Sequence, residues 1–377
     1  MSSRRKIVLA TGIFYPEIGG PAIHTRKIAE SLAAKNWEVV VITYGDDAIT
    51  HNFPFVVRRV PRSLSRSLRW FLYFISVMKA SIGAKIIYAF DLTAAGMPAF
   101  ATAKLLGKKF VIRIAGDPIW ERIVEKNKRF LSIKEYYQKN LYNVDKPKLF
   151  KAIKYIIRHT DILVTYSPFL RNLYTKYYGI PSEKFHIIRN PIFKQDTANN
   201  TVSQETTVLF AGRFVSYKNL KLLIRVFDIL RQRHNYGKLI LIGHGPERKE
   251  LEKLVKNIPS KEYITIHSAV EQETLFTYIR SATVCIGPAL TEFNPNFILE
   301  SLSFGRPTLI SRENGLSVQL PEEFLFDAKN DKEFTEKLDK FFDKQFCEKA
   351  LKTVSQLPMN QTWEKVINAH LELLSRF

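Results

Sequence analysis

The feature that most constrains this chain is an alternation along its whole length. Short, mainly apolar runs are separated by amphipathic stretches long enough for a helix. Ile7–Ala10, Val39–Ile42, Ile86–Ala89, Phe110–Ile114, Ile162–Thr165 and Phe185–Ile188 read as buried strands. A helix from about His24 to Lys35 lies between the first two, which makes a βαβ unit. Residues 197–204 are polar and read as a linker, after which the pattern restarts. Thr207–Ala211, Lys238–Ile242, Tyr263–His267, Val284–Gly287 and Thr308–Ser311 are predicted strands; helices are predicted over 218–233, 246–256, 271–281 and 296–304. Strands alternating with helices imply an α/β chain with two doubly wound, Rossmann-like domains. The expected boundaries are 1–196 and 197–357. A last helix within 358–377, with Trp363, Val366, Ile367, His370 and Leu371 near helical spacing, is expected to pack back on the first domain. Ligands of such sheets bind beyond the carboxyl ends of the strands, so the two domains are expected to face a ligand across a cleft.

Composition narrows the classes further. Two cysteines, Cys285 and Cys347, are too few for a disulfide framework or a cysteine zinc site, and suggest a reducing, cytoplasmic compartment. The net charge is +21 and lopsided: residues 1–200 hold 33 basic and 14 acidic side chains, a net of +19. Such asymmetry suggests a polyanion at one half, either nucleic acid or the inner face of an anionic membrane; a generally basic proteome is the plainer alternative. The most apolar stretch, Trp70 to Met78, falls far below the ~20 residues of a spanning helix, so the chain is expected to touch a membrane without crossing it.

Three loops after predicted strands carry the chemistry. Pro16-Glu17-Ile18-Gly19-Gly20-Pro21 offers close backbone approach and a following helix N-terminus, which suits an anion, or it is a structural turn. Gly212-Arg213-Phe214-Val215-Ser216-Tyr217-Lys218-Asn219 sets two cations five apart, which suits a diphosphate, or both are merely solvated. Glu292-Phe293-Asn294-Pro295-Asn296-Phe297-Ile298-Leu299-Glu300 sets two carboxylates eight apart around a helix start whose backbone amides could hold a phosphate.

Together these loops resemble the retaining glycosyltransferases of family 4, in the GT-B superfamily. Glu292 and Glu300 match that family's E-x7-E pattern, and Gly305-Arg306-Pro307 its following G-x-P. The Gly212–Asn219 loop matches its G-R…K-N loop, and Gly243-His244-Gly245-Pro246 its G-x-G-P turn. With the N-terminal glycine loop and Asn190-Pro191, the resemblance spans nearly the whole chain.

The resemblance implies roles by position. The first domain would bind the acceptor and the second a nucleotide sugar, UDP- or GDP-linked, used as a substrate with no separate cofactor and no metal. Glu300 would hold the ribose hydroxyls, Arg213 and Lys218 the diphosphate, and Glu292 the donor sugar. Gly19, Gly20, Gly212, Gly243, Asn294 and the amides of Asn296 and Phe297 would cradle phosphate or sugar, and Val270 would meet the base. Where relatives carry His-Gly after a first-domain strand, this chain has Ala115-Gly116-Asp117-Pro118. Asp117 would then be an acceptor-side base, with Asp91 and Trp120 nearby, or simply a helix cap.

Two basic, aromatic stretches remain. Arg62, Arg66 and Arg69 are expected on one helical stripe with Leu68, Phe71, Leu72 and Ile75 on another, the pattern of a helix lying on an anionic bilayer; the alternative is packing on the core. The second runs from Arg122 to Arg158 with Tyr136, Tyr137, Tyr142 and Tyr155. The expected function is transfer of a sugar to a glycolipid or polysaccharide. The alternatives are a sugar-nucleotide epimerase, a glycan phosphorylase, or a nucleic-acid binder, which no recognition motif supports.

Overall fold

A computed structural model describes residues 4–17, 19–46, 52–197 and 205–377. Ser2, Ser3, Ile18 and all but Thr197 of the polar stretch lie outside them.

The chain divides into two compact units. The first comprises Met1–Ile119, Tyr142–Asn190 and Thr362–Phe377. Its sheet is wholly parallel: β1 Lys6–Ala10, β2 Glu38–Tyr44, β3 Val56–Val60, β4 Ile86–Ala89, β5 Lys109–Ile114, β6 Ile162–Thr165 and β7 Phe185–Ile187, in the order β3-β2-β1-β4-β5-β6-β7. The apolar runs of the sequence become its central strands because a parallel sheet is covered on both faces. Leu9 sits between Val41 and Tyr88, and all three are fully buried or nearly so. The C-terminal helix Trp363–Ser375 inserts Val366, Leu373 and Leu374 into the same core as Ile7, Leu9 and Ile28. Its His370 Nδ1 lies 3.3 Å from the Tyr88 hydroxyl, fully buried.

The second unit comprises Trp120–Leu141 and Pro191–Gln361. It holds a short antiparallel pair, β8 Ile192–Phe193 with β15 Asn360–Gln361, and a second parallel sheet. That sheet contains β9 Thr207–Ala211, β10 Lys238–Ile242, β11 Ile264–His267, β12 Val284–Gly287, β13 Thr308–Ser311 and β14 Leu325–Phe326, in the order β11-β10-β9-β12-β13-β14.

A cut at residue 196 misses one excursion. The chain leaves the first unit within the helix Pro118–Val124 and returns to it at Tyr142. Aromatic burial drives this. Trp120 is fully buried, edge-on to Tyr217 (5.2 Å) and Phe293 (5.8 Å), and its indole N–H donates to Leu131 O at 2.9 Å. Ser216 Oγ donates to Val124 O, and Thr291 Oγ1 accepts from Ile133 N.

The expected membrane stripes are rearranged. The helix begins at Arg66, so Arg62 precedes it and instead pairs with Glu17 at 2.7 Å. Its buried face is Tyr73, Val77 and Ala80, which leaves Leu68, Trp70 and Phe71 exposed. In the second stretch Tyr136, Tyr137 and Tyr142 are buried and Tyr155 is exposed, so three of the four tyrosines are core residues.

Candidate functional site

In the second sheet the connections from β9 run to one side and the returning β12 lies on the other, so the loops after these adjacent strands diverge. This is the topological switch point, where a parallel sheet opens a crevice. Both charged loops of the sequence start there.

The loop after β9 is held by backbone packing. A Cβ on Gly243 would fall 1.9 Å from Gly212 O, and one on Gly245 2.3 Å from Phe214 O. Phe214 N also donates to His244 O at 2.7 Å. This packing of loop on loop already requires glycine at 243. Beyond it Arg213 projects outward, bonded to Glu125 (2.8 Å) and to the Tyr217 hydroxyl (3.2 Å). Burial pulls the guanidinium down, but Tyr217 and Glu125 outweigh it and hold its pKa above the ordinary value.

Lys218 turns inward. Its Nζ lies 2.6 Å from Glu292 Oε1, with the lysine side chain 15% and the glutamate side chain 7% exposed. Burial alone would lower the lysine's pKa; the Glu292 carboxylate reverses the direction and keeps the ammonium charged. Glu292 is fixed in turn, because its N–H donates to Glu313 O and its C=O accepts from Gly315 N.

Asn294 follows. Both polar atoms of its amide are buried without a hydrogen-bond partner. The helix Asn296–Ser303 then starts with Pro295 at its cap and, among the described residues, no side-chain cap hydrogen bond. Glu300 stands one turn in. Burial pushes its carboxyl up to about 7, against the pull of Gln272 Nε2, which donates at 3.2 Å. Gln272 opens the helix Gln272–Ser281, two residues after Val270.

The structure therefore brings Arg213, Lys218 and Glu292 together through Tyr217. Asn294, Asn296, Phe297, Glu300 and Val270 stand on loops or helix starts at the same sheet edge. Gly19 and Gly20 belong to the first unit, where Gly19 precedes the helix Gly20–Ala34 and a Cβ there would meet Ile13 Cδ1 at 2.8 Å. The three acceptor-side candidates take structural places. Asp117 is fully buried; its Oδ1 accepts from Ile119 N at 3.0 Å and its Oδ2 from the Tyr178 hydroxyl at 3.1 Å, which is the capping alternative. Asp91 accepts from the amides of Thr93, Ala95 and Gly96, and burial pushes its carboxyl upward. Trp120 is the buried anchor of the excursion and belongs to the second unit.

Sequence reasoning missed Glu125 and Tyr217, the two partners of Arg213. Tyr217 stood inside the quoted loop, with only its aromatic character as a signal. Glu125 is 88 positions from Arg213, and nothing in its neighbourhood announces the pairing.

Comparison with known proteins gives the family and the fold. Residues 18–194 match the family Glycosyltransferase Family 4, and residues 192–356 match Glycosyl transferases group 1. An uncharacterized glycosyltransferase of Methanocaldococcus jannaschii is 27% identical over 332 residues, covering 82% of this chain and 81% of that protein. The sulfoquinovosyl transferase SQD2 of Arabidopsis thaliana is 28% identical over 38% of this chain and 27% of its own length. Among solved structures, Anabaena HepE in complex with UDP and glucose superposes with a TM-score of 0.75 at 14% identity, covering 99% of this chain and 100% of that one. WaaG, a glycosyltransferase involved in lipopolysaccharide biosynthesis, gives 0.68 at 16% identity, covering 96% of this chain and 98% of that one. At such identities the structural likeness shows a shared fold.

Proposed function

The chain belongs to glycosyltransferase family 4 and has a GT-B fold, and from that premise we propose that it transfers a sugar with retention. The donor is a UDP- or GDP-linked sugar, and the acceptor a hydroxyl of a glycolipid or polysaccharide. The observation that carries the reading is the buried Lys218–Glu292 pair with Arg213 beside it at the switch point.

As the bond from the anomeric carbon to the diphosphate oxygen breaks, its electron pair stays on the diphosphate. Lys218 and Arg213 stabilise that growing charge, the electrostatic work that a metal does in other transferases. Both cations are held by carboxylates of the same unit, Glu292 and Glu125. A diphosphate would share or replace those partners. The acceptor oxygen bonds to the anomeric carbon on the same face, and its proton passes to the departing diphosphate oxygen. Glu292 and the Asn294 amide take sugar hydroxyls, and the amides opening the helix Asn296–Ser303 receive a phosphate. Glu300 accepts from the ribose hydroxyls, with the base near Val270. HepE's complex with UDP supports a UDP donor, and WaaG's role in lipopolysaccharide biosynthesis supports a lipid-borne acceptor. The exposed Leu68, Trp70 and Phe71 beside the exposed Arg66 suit an anionic membrane surface, and no described helix is long and apolar enough to cross a membrane.

Calorimetry with UDP, GDP and their sugar conjugates tests the reading. One diphosphate series should bind wild type, and Glu300→Ala should abolish that binding with little change in melting temperature. Absence of binding by every nucleoside diphosphate, or undiminished binding by the variant, would reject it.

A further inference from the structure

The second unit contains a cavity of about 590 Å³ that the reaction above does not use. Its walls come from four places: the excursion at Asn127–Phe130, the loop from Ser216 with the start of the helix Leu220–His234, Glu247 ahead of the helix Arg248–Lys256, and the turn from Ala328 to Asp331. None of Arg213, Lys218, Glu292 or Glu300 lines it.

Its chemistry is specific. Four cationic residues line it, Arg129, Lys221, Arg225 and Lys329, against two acidic ones, Glu247 and Asp331. Lys221 is partly neutralised by Glu250 and by Glu247 at 3.5 Å, and Lys329 by Glu135. Arg225 makes no ion pair among the described residues, is exposed, and stands one helical turn beyond Lys221. The wall also carries Phe130, 51% exposed, and the 5% exposed Glu247, a carboxylate fixed where it can accept hydrogen bonds. A forked cation, an aromatic face and a buried acceptor recognise phosphate, the apolar face of a sugar ring, and sugar hydroxyls respectively. The volume falls in the range of small-molecule sites.

We propose that this cavity is a second ligand site, which binds a phosphorylated sugar. Ser216 and Asn219 line it and flank Lys218 in the chain, so a ligand here bears on the loop that carries the catalytic lysine without entering the donor crevice. The inference concerns binding at residues outside the donor site and does not require the donor assignment to hold.

The test is calorimetry of the full chain with glucose 1-phosphate, glucose and inorganic phosphate, with and without saturating UDP. Glucose 1-phosphate should bind at least tenfold more tightly than either fragment, and UDP should leave that binding measurable. Arg225→Ala and Phe130→Ala change exposed side chains; each should weaken glucose 1-phosphate at least tenfold at unchanged melting temperature and unchanged UDP affinity. The proposal is overturned if glucose 1-phosphate does not bind, if UDP abolishes its binding, if inorganic phosphate binds equally well, or if neither variant weakens it. Failure of UDP itself to bind would count against the donor reading alone.

Discussion

The two units have the same strand logic and opposite crevices. In the first, the loops after β1 and β4 diverge at the centre of a parallel sheet; in the second, the loops after β9 and β12 do so. Polar side chains near the crevice of the first unit bond to its own backbone. Asp91 is spent on three backbone amides, the Tyr73 hydroxyl on Thr11 O and Ile42 O, and the Tyr44 hydroxyl on Ala94 O. The crevice of the second holds a buried ion pair, a second cation and an amide with no partner. The same topology thus supplies a place for chemistry in both, but the second sets an ion pair beside an amide whose two polar atoms are both unpaired, whereas in the first the unpaired buried atoms are scattered over His24, Arg113, Thr165, Thr175 and His370. Buried polar groups that are fully satisfied stabilise a fold, and one left unsatisfied calls for an explanation, of which a ligand is one.

The largest expected effect tests that contrast directly. Lys218→Ala leaves Glu292 buried without its partner and should cost about 3–5 kcal/mol of stability in denaturant unfolding. It should also lower turnover by about 10²–10³, the scale for losing one preorganised charge stabiliser. Lys218→Met with Glu292→Leu should restore most of the stability and none of the turnover. Recovery of turnover would make the pair a structural strut.

Next comes Glu300→Gln. Losing hydrogen bonds to a charged acceptor, about 1.5–3 kcal/mol, should weaken nucleotide binding roughly 10- to 100-fold above pH 7. The gap should narrow as pH falls below about 7, where the wild-type carboxyl is protonated. A gap that stays constant with pH would break the ribose assignment.

Asp117→Ala probes the capped unit. It removes a helix cap and leaves the Tyr178 hydroxyl without its buried acceptor, which should cost about 1–3 kcal/mol. Turnover per folded molecule should hold. Lost turnover at unchanged stability would restore Asp117 as an acceptor-side base.

The smallest effect is in pH. His24 and His370 are buried, and burial with the nearby Arg113 holds both well below their ordinary value of 6.5. The unfolded chain takes up protons there first, so the first unit should lose stability as pH falls below about 6.5. Glu300 runs the other way. Its contribution is present below the ordinary value of 4.5 and is lost as pH rises from there through about 7. Hydrogen exchange read separately on the two sheets should show the opposed slopes, and His370→Gln and Glu300→Gln should each flatten one of them.

Much of this molecule was legible in advance. Ile86–Ala89, Ile162–Thr165, Thr207–Ala211, Lys238–Ile242, Val284–Gly287 and Thr308–Ser311 are strands with the bounds their apolar runs predicted. β3 was missed because Val56–Val60 contains Arg58 and Arg59 on an edge strand, where one side needs no apolar cover. That Lys218, Arg213 and Glu292 come together was legible because glycines, charges and a helix start recur on loops after strands. The structural places of Asp117, Asp91 and Trp120 were not legible, because a carboxylate or an indole beside a strand end looks alike in sequence whether it faces a substrate or its own backbone.

The sequence by itself determined the two parallel sheets, since the period of apolar runs is a local property that each strand carries alone. It also determined which loops hold charge. The tertiary structure decided who partners whom: Glu125 with Arg213, Glu292 with Lys218, and Trp120 against Tyr217 and Phe293. Those contacts join residues 74 to 173 positions apart, and their energy depends on burial and distance, which no stretch of sequence contains until the chain has closed on itself.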